Sequence, residues 1–89
     1  MNVRVVYKDL KDKEFLDKIN LETPIFIEYI DVNTKKGKSE GWKIMNYYGT
    51  RTFPFIEVET DESKLLPFYS ERGNAIGQLI NYLNNDCKN

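Results

Sequence analysis

Arg51-Thr52-Phe53-Pro54-Phe55-Ile56-Glu57-Val58-Glu59 places a proline at the mouth of a short strand in the middle of the chain. Proline has no N–H to give to a ladder, so it belongs at the start of a strand rather than inside one. Residues 55–59 predict a strand with Ile56 and Val58 on one side and Glu57 and Glu59 on the other. Upstream, residues 39–48 carry Trp42, Ile44, Met45 and Tyr48 as a broad helical stripe that Gly49 ends as a left-handed C-cap.

Towards the N-terminus, Val3-Arg4-Val5-Val6-Tyr7 is β-branched and aromatic apart from one arginine and reads as the opening strand. Asp9 follows as an N-cap, Asp12 and Glu14 suit the positive end of a helix, and Phe15, Leu16 and Ile19 recur at helical spacing up to Asn20. Leu21-Glu22-Thr23-Pro24 breaks that helix, and residues 25–30, Ile-Phe-Ile-Glu-Tyr-Ile, form the most apolar strand. Two strands joined by a helix imply a parallel crossover. Residues 31–37 read as a polar loop, with Lys35-Lys36-Gly37-Lys38 as a solvated basic run.

Towards the C-terminus, Thr60-Asp61-Glu62-Ser63 is a turn short enough to imply a hairpin into residues 65–69. Pro67 puts that last strand at the sheet edge. Ile76, Leu79, Ile80 and Leu83 then fall at i, i+3, i+4 and i+7, the stripe of an amphipathic helix that covers the sheet, preceded by capping residues at 70–74.

The 89 residues suffice for one core, so residues 1–86 are taken as a single domain with 87–89 as a polar tail. Thirteen basic residues against fourteen acidic ones give no general field for nucleic acid or an anionic membrane. No signal pattern or membrane-length apolar run is present, which leads to the expectation of a cytoplasmic protein. The single cysteine, Cys87, excludes an intramolecular disulfide. Lys, Asn, Ile and Tyr are abundant beside one alanine, Ala75, as suits an AT-rich genome, phages included.

The βαβ then ββα order resembles the minimal thioredoxin-like core, and the resemblance to glutaredoxins covers nearly the whole chain. Thr52-Phe53-Pro54 matches the family's Thr-Val-Pro, and residues 48–54, Tyr-Gly-x-Arg-x-x-Pro, resemble the thioredoxin sequence before its cis-proline. The resemblance implies an α/β fold with a four-stranded mixed sheet in the order two-one-three-four, helices on both faces and a cis-proline loop at Pro54. It further implies that the backbone just before the proline pairs with an extended peptide or with glutathione. The start of the last helix would then take glutathione's γ-glutamyl carboxylate. Carried over, these positions are Thr52, Phe53 and Pro54, and residues 70–74 with Arg72, Gly73 and Asn74; Lys8, Lys11 and Arg51 supply basic groups nearby.

The chain departs from the family where the chemistry is done. Active members carry a Cys-x-x-Cys or Cys-x-x-Ser at the first helix N-terminus, where amides and the macrodipole lower a thiol's pKa. Residues 8–14 here, Lys-Asp-Leu-Lys-Asp-Lys-Glu, contain no sulfur, so thiol–disulfide exchange has no nucleophile at that place. The family's glycine pair before the last helix is reduced to Gly73, and Glu71 adds a repelling charge. Ordinary roles also serve: Gly73 and Asn74 as caps, Trp42, Tyr47 and Tyr48 as packing, and Glu57, Glu59, Asp61 and Glu62 as a solvated acidic edge. No metal site, phosphate loop or nucleophile triad can be assembled, and no cofactor is expected.

The leading expectation is a redox-inactive thioredoxin-like binding domain, a monomer or weak homodimer, that holds a protein or peptide against an exposed Phe53 and the first-helix start. Two alternatives stand beside it. One is a glutathione-like carboxylate in the same groove, and the other a structural subunit of a larger assembly.

Overall fold

Alternation along the first strand sends Val3, Val5 and Tyr7 to one face of the sheet and Arg4 and Val6 to the other, and that split decides which helix goes where. The computed structural model describes residues 1–19 and 24–85. The elements run β1 (Asn2–Tyr7), α1 (Leu10–Lys18), β2 (Phe26–Asp31), α2 (Lys35–Tyr48), β3 (Phe55–Glu59), β4 (Leu65–Phe68), a 3₁₀ turn (Ser70–Arg72) and α3 (Ala75–Asn85). The sheet order is β2-β1-β3-β4, with β1 and β2 parallel and β3 antiparallel to both β1 and β4. The first-helix end at Asn20, the breaker at Leu21, Glu22 and Thr23, and the 87–89 tail with Cys87 lie outside the described residues.

One face buries Val3, Val5, Tyr7, Ile56 and Val58 under Leu16 of α1 and Ala75, Ile76, Leu79 and Leu83 of α3. The opposite face buries Val6, Ile30 and Phe55 under Ile44 and Met45 of α2. Truncating a fully buried side chain such as Leu79 costs about 2–5 kcal/mol, since the cavity adds to the lost transfer energy. β4 stands at one edge with Pro67, as a residue without an N–H requires. The apolar β2 stands at the other edge, and Phe26 on it is 78% exposed. Tyr29 of β2 donates to Asp17 of α1 at 2.8 Å, and Lys13 donates to the same carboxylate at 2.9 Å. These two hydrogen bonds hold Asp17 below the usual carboxylate range, the Lys13 bond contributing most.

Three expectations change. The basic run at 35–38 is the first turn of α2 rather than a loop, because Thr34 caps the helix by accepting from the Gly37 N–H at 3.0 Å. Gly37 is there for contact: a Cβ at this position would stand 1.9 Å from the Asp31 carbonyl oxygen. Phe15, read with Leu16 and Ile19 as the apolar spacing of the first helix, is 54% exposed, and only Leu16 of that helix is buried. Glu57, read as part of a solvated acidic edge, is buried at 4%. Alternation does send it away from Ile56 and Val58, but the far face is covered at that point by α2, and Glu57 survives there because Arg4 Nε donates to Oε1 at 2.7 Å and Tyr48 donates to Oε2 at 2.6 Å.

Candidate functional site

The register that pairs Val6 with Phe55 and Ile56 with Phe68 brings three chain segments to one end of the sheet. They are the end of β1 running into Lys8, the Phe53-Pro54 approach to β3, and the exit of β4 into Ser70. Adjacent parallel strands β1 and β2 also finish here, and the helices that follow them leave over opposite faces, the arrangement in which open α/β sheets form a crevice. Here that crevice is spanned, since Asn33 Nδ2 donates to the Lys8 carbonyl at 2.8 Å and ties the two loops together.

The Phe53–Pro54 bond is cis, and the Ser70 hydroxyl donates to the Phe53 carbonyl at 3.3 Å. That leaves one lone pair on the carbonyl, and the Phe53 N–H has no acceptor among the described residues. The Phe53 N–H and the second lone pair of its carbonyl thus remain on a half-buried segment. Phe53 itself is not the exposed anchor expected from the sequence. Its ring meets Trp42 edge to face at 5.6 Å and packs with Tyr48 and Tyr69 around the Phe55 cluster. Thr52 and Pro54 are half-buried and Arg51 is exposed.

The start of α3 is already capped. Asn74 Oδ1 accepts from the Ile76 N–H at 2.9 Å and the Gly77 N–H at 3.2 Å, so the amides that would have received a carboxylate are engaged. Gly73 has φ 114°, a conformation L side chains rarely adopt, and Gln78 Nε2 donates to its carbonyl and to that of Tyr69. Arg72 lies over the Tyr69 ring at 5.3 Å.

The start of α1 is engaged in the same way, because Asp9 Oδ1 accepts from the Lys11 N–H at 3.0 Å. Lys8 and Lys11 are exposed, but Asp9 and Asp12 stand among them and cancel their field. Burial, and secondarily the charge of Asp9, raises the Asp12 carboxyl above its usual range. Both helix ends therefore disfavour an anion, while the proline-loop backbone retains hydrogen-bonding capacity for an extended segment.

Among the described residues no group of three or more Cys, Asp or Glu side chains is placed to hold a metal ion. No helix among them is long and apolar enough to cross a membrane. Sequence reasoning missed Asn33 as a part of this end of the sheet, because it acts through a partner distant in sequence. No family model, curated protein or solved structure matches the chain.

Proposed function

We propose that the protein is a redox-inactive, thioredoxin-like binding domain that receives an extended segment of another protein along Thr52, Phe53 and Pro54. The observation that carries this reading is the Phe53 N–H, which has no acceptor among the described residues, together with the Phe53 carbonyl, which keeps a spare lone pair, at the end of the sheet where β1, β3 and β4 converge. An extended chain fills such a pair by main-chain hydrogen bonds, and neighbouring side chains then set specificity. The sheet order and the proline at the start of β3 support the thioredoxin-like assignment. The sulfur-free α1 start supports binding rather than exchange chemistry. A glutathione-like carboxylate is the weaker occupant, because Asn74 and Asp9 already occupy the amides such an anion needs.

A photoreactive group installed at Thr52, with purified protein added to host extract, tests this directly. Crosslinks to a partner peptide that disappear when Thr52→Arg blocks the loop support the reading. Crosslinks unaffected by that substitution, or saturable glutathione binding without any protein crosslink, overturn it.

A further inference from the structure

α2 covers only half of its face of the sheet. The other half carries Arg4 of β1, Phe26 and Glu28 of β2, Glu59 of β3 and Leu65 of β4, with the buried Glu57 at its boundary with α2. A concavity of about 480 Å³ lies over these residues, and it continues into a second of about 590 Å³ against Glu40, Lys43 and Tyr47 of α2; the two share Arg4, Glu57 and Leu65. Five large hydrophobic side chains are exposed among the described residues. Three of them, Phe26 at 78%, Tyr47 at 77% and Leu65 at 44%, stand around this one hollow.

Its charge is as uneven as its polarity. On the floor, both Glu57 oxygens are satisfied by Arg4 and Tyr48, so the carboxylate can be covered without being left unmet. Around the rim, Glu28, Glu40 and Glu59 have no cationic partner among the described residues, and Lys43 is the only lysine lining either hollow. These three carboxylates, of which Glu59 accepts from Asn2, outnumber Lys43 here and Lys36 in the adjoining hollow beside Glu28 and Glu40, on a chain whose total charge is only −1. Apolar shelves inside an acidic rim complement a helix with apolar residues along one stripe and lysine or arginine beside it. The open part is two cross-strand rows, Phe26-Asn2-Glu59-Leu65 and Glu28-Arg4-Glu57-Pro67, and four strands span roughly 14 Å, so a helix laid across the strands reaches both Phe26 and Leu65.

We infer that this uncovered half-sheet docks a cationic amphipathic helix of a partner protein, on a face distinct from the proline loop and independent of the reading given for it. The helix lays its apolar stripe across Phe26, Leu65 and Tyr47 and turns its basic residues to Glu28, Glu40 and Glu59.

Titration of the isotope-labelled protein with a synthetic 18-residue leucine/lysine helix, followed by amide chemical shifts, tests the assignment. The expected result is saturable one-to-one binding, with shifts centred on Asn2, Arg4, Phe26, Glu28 and Leu65. Phe26→Thr, and separately Glu28→Lys with Glu59→Lys, each weaken it at least tenfold; all three side chains are exposed, and the melting temperature verifies folding. The matched leucine/glutamate helix does not bind. Shifts centred on Leu10 and Phe15 of α1, equal binding of the acidic helix, or affinity unchanged by the substitutions overturn the inference. So does a dimer in sedimentation that Phe26→Thr dissolves, which assigns the hollow to a second copy of the chain.

Discussion

Tyr48, the last residue of α2, donates its hydroxyl to Oε2 of Glu57 in the middle of β3 at 2.6 Å, and so fastens the helix to the face of the sheet by the only buried carboxylate among the described residues. Arg4 from the neighbouring strand holds the other oxygen, at a position directly opposite Glu57 in the β1–β3 register. A charged hydrogen bond of this kind is worth more than a neutral one, and losing one partner leaves the other buried and unmet. Tyr48→Phe is expected to cost about 1.5–3 kcal/mol in denaturant unfolding.

Removing the cation has a related cost. Arg4→Met leaves the Glu57 charge with one partner, and about 3 kcal/mol is expected to be lost. The triple change Arg4→Met, Glu57→Leu and Tyr48→Phe removes charge and partners together and is expected to restore stability to near the parent. A triple variant no more stable than Arg4→Met would show that the cluster contributes through its own favourable energy rather than through mutual satisfaction.

Burial first, and then the bond to Glu57, raise the Tyr48 phenol above its ordinary value of 10.0. A group whose folded value is raised contributes stability that is complete below the unfolded value and is lost as pH rises through the folded one. Unfolding free energy is therefore expected to fall above about pH 10, and Tyr48→Phe to flatten that alkaline decline. Tyr29, raised by burial and by its bond to Asp17, contributes in the same direction. A decline of equal slope in Tyr48→Phe would contradict the assignment.

Two glycines on different helices are expected to respond with opposite sign. Gly37→Ala drives a Cβ to 1.9 Å from the Asp31 carbonyl oxygen, a backbone atom that cannot turn aside, and costs at least about 2–3 kcal/mol. At Gly77 the nearest atom to a new Cβ is Asn74 Cβ at 3.6 Å, an ordinary contact, so Gly77→Ala stabilises by roughly 0.5 kcal/mol. Thermal melts of the two variants measure both.

The proposed redox inactivity has a simple assay. Insulin-disulfide reduction is expected to stay at the background rate, with the parent and Cys87→Ser indistinguishable. A rate that vanishes on Cys87→Ser would instead give the C-terminal thiol a function.

The element order, the parallel β1–β2 pair, the β3–β4 hairpin, the Pro67 strand at an edge and the Asp9 and Gly49 caps are all legible in the chain, because each follows from local periodicity, proline chemistry or capping geometry. The sequence also placed Asn74 at the head of α3 as a cap. Tertiary structure decided the rest. Lys35-Lys36-Gly37-Lys38 has the composition of a loop, and cations at a helix N-terminus are locally unfavourable, yet packing of Gly37 and Gly41 against β2 and Val6 recruits that turn into α2. Glu57 looks solvated in a strand pattern and Phe53 looks exposed in a loop. Each is covered by α2, through Tyr48 and Trp42, residues brought near by the return of the chain over the sheet. Strand alternation names a face, but only the placement of the second layer says which half of that face is covered and which, around Arg4 and Phe26, stays open.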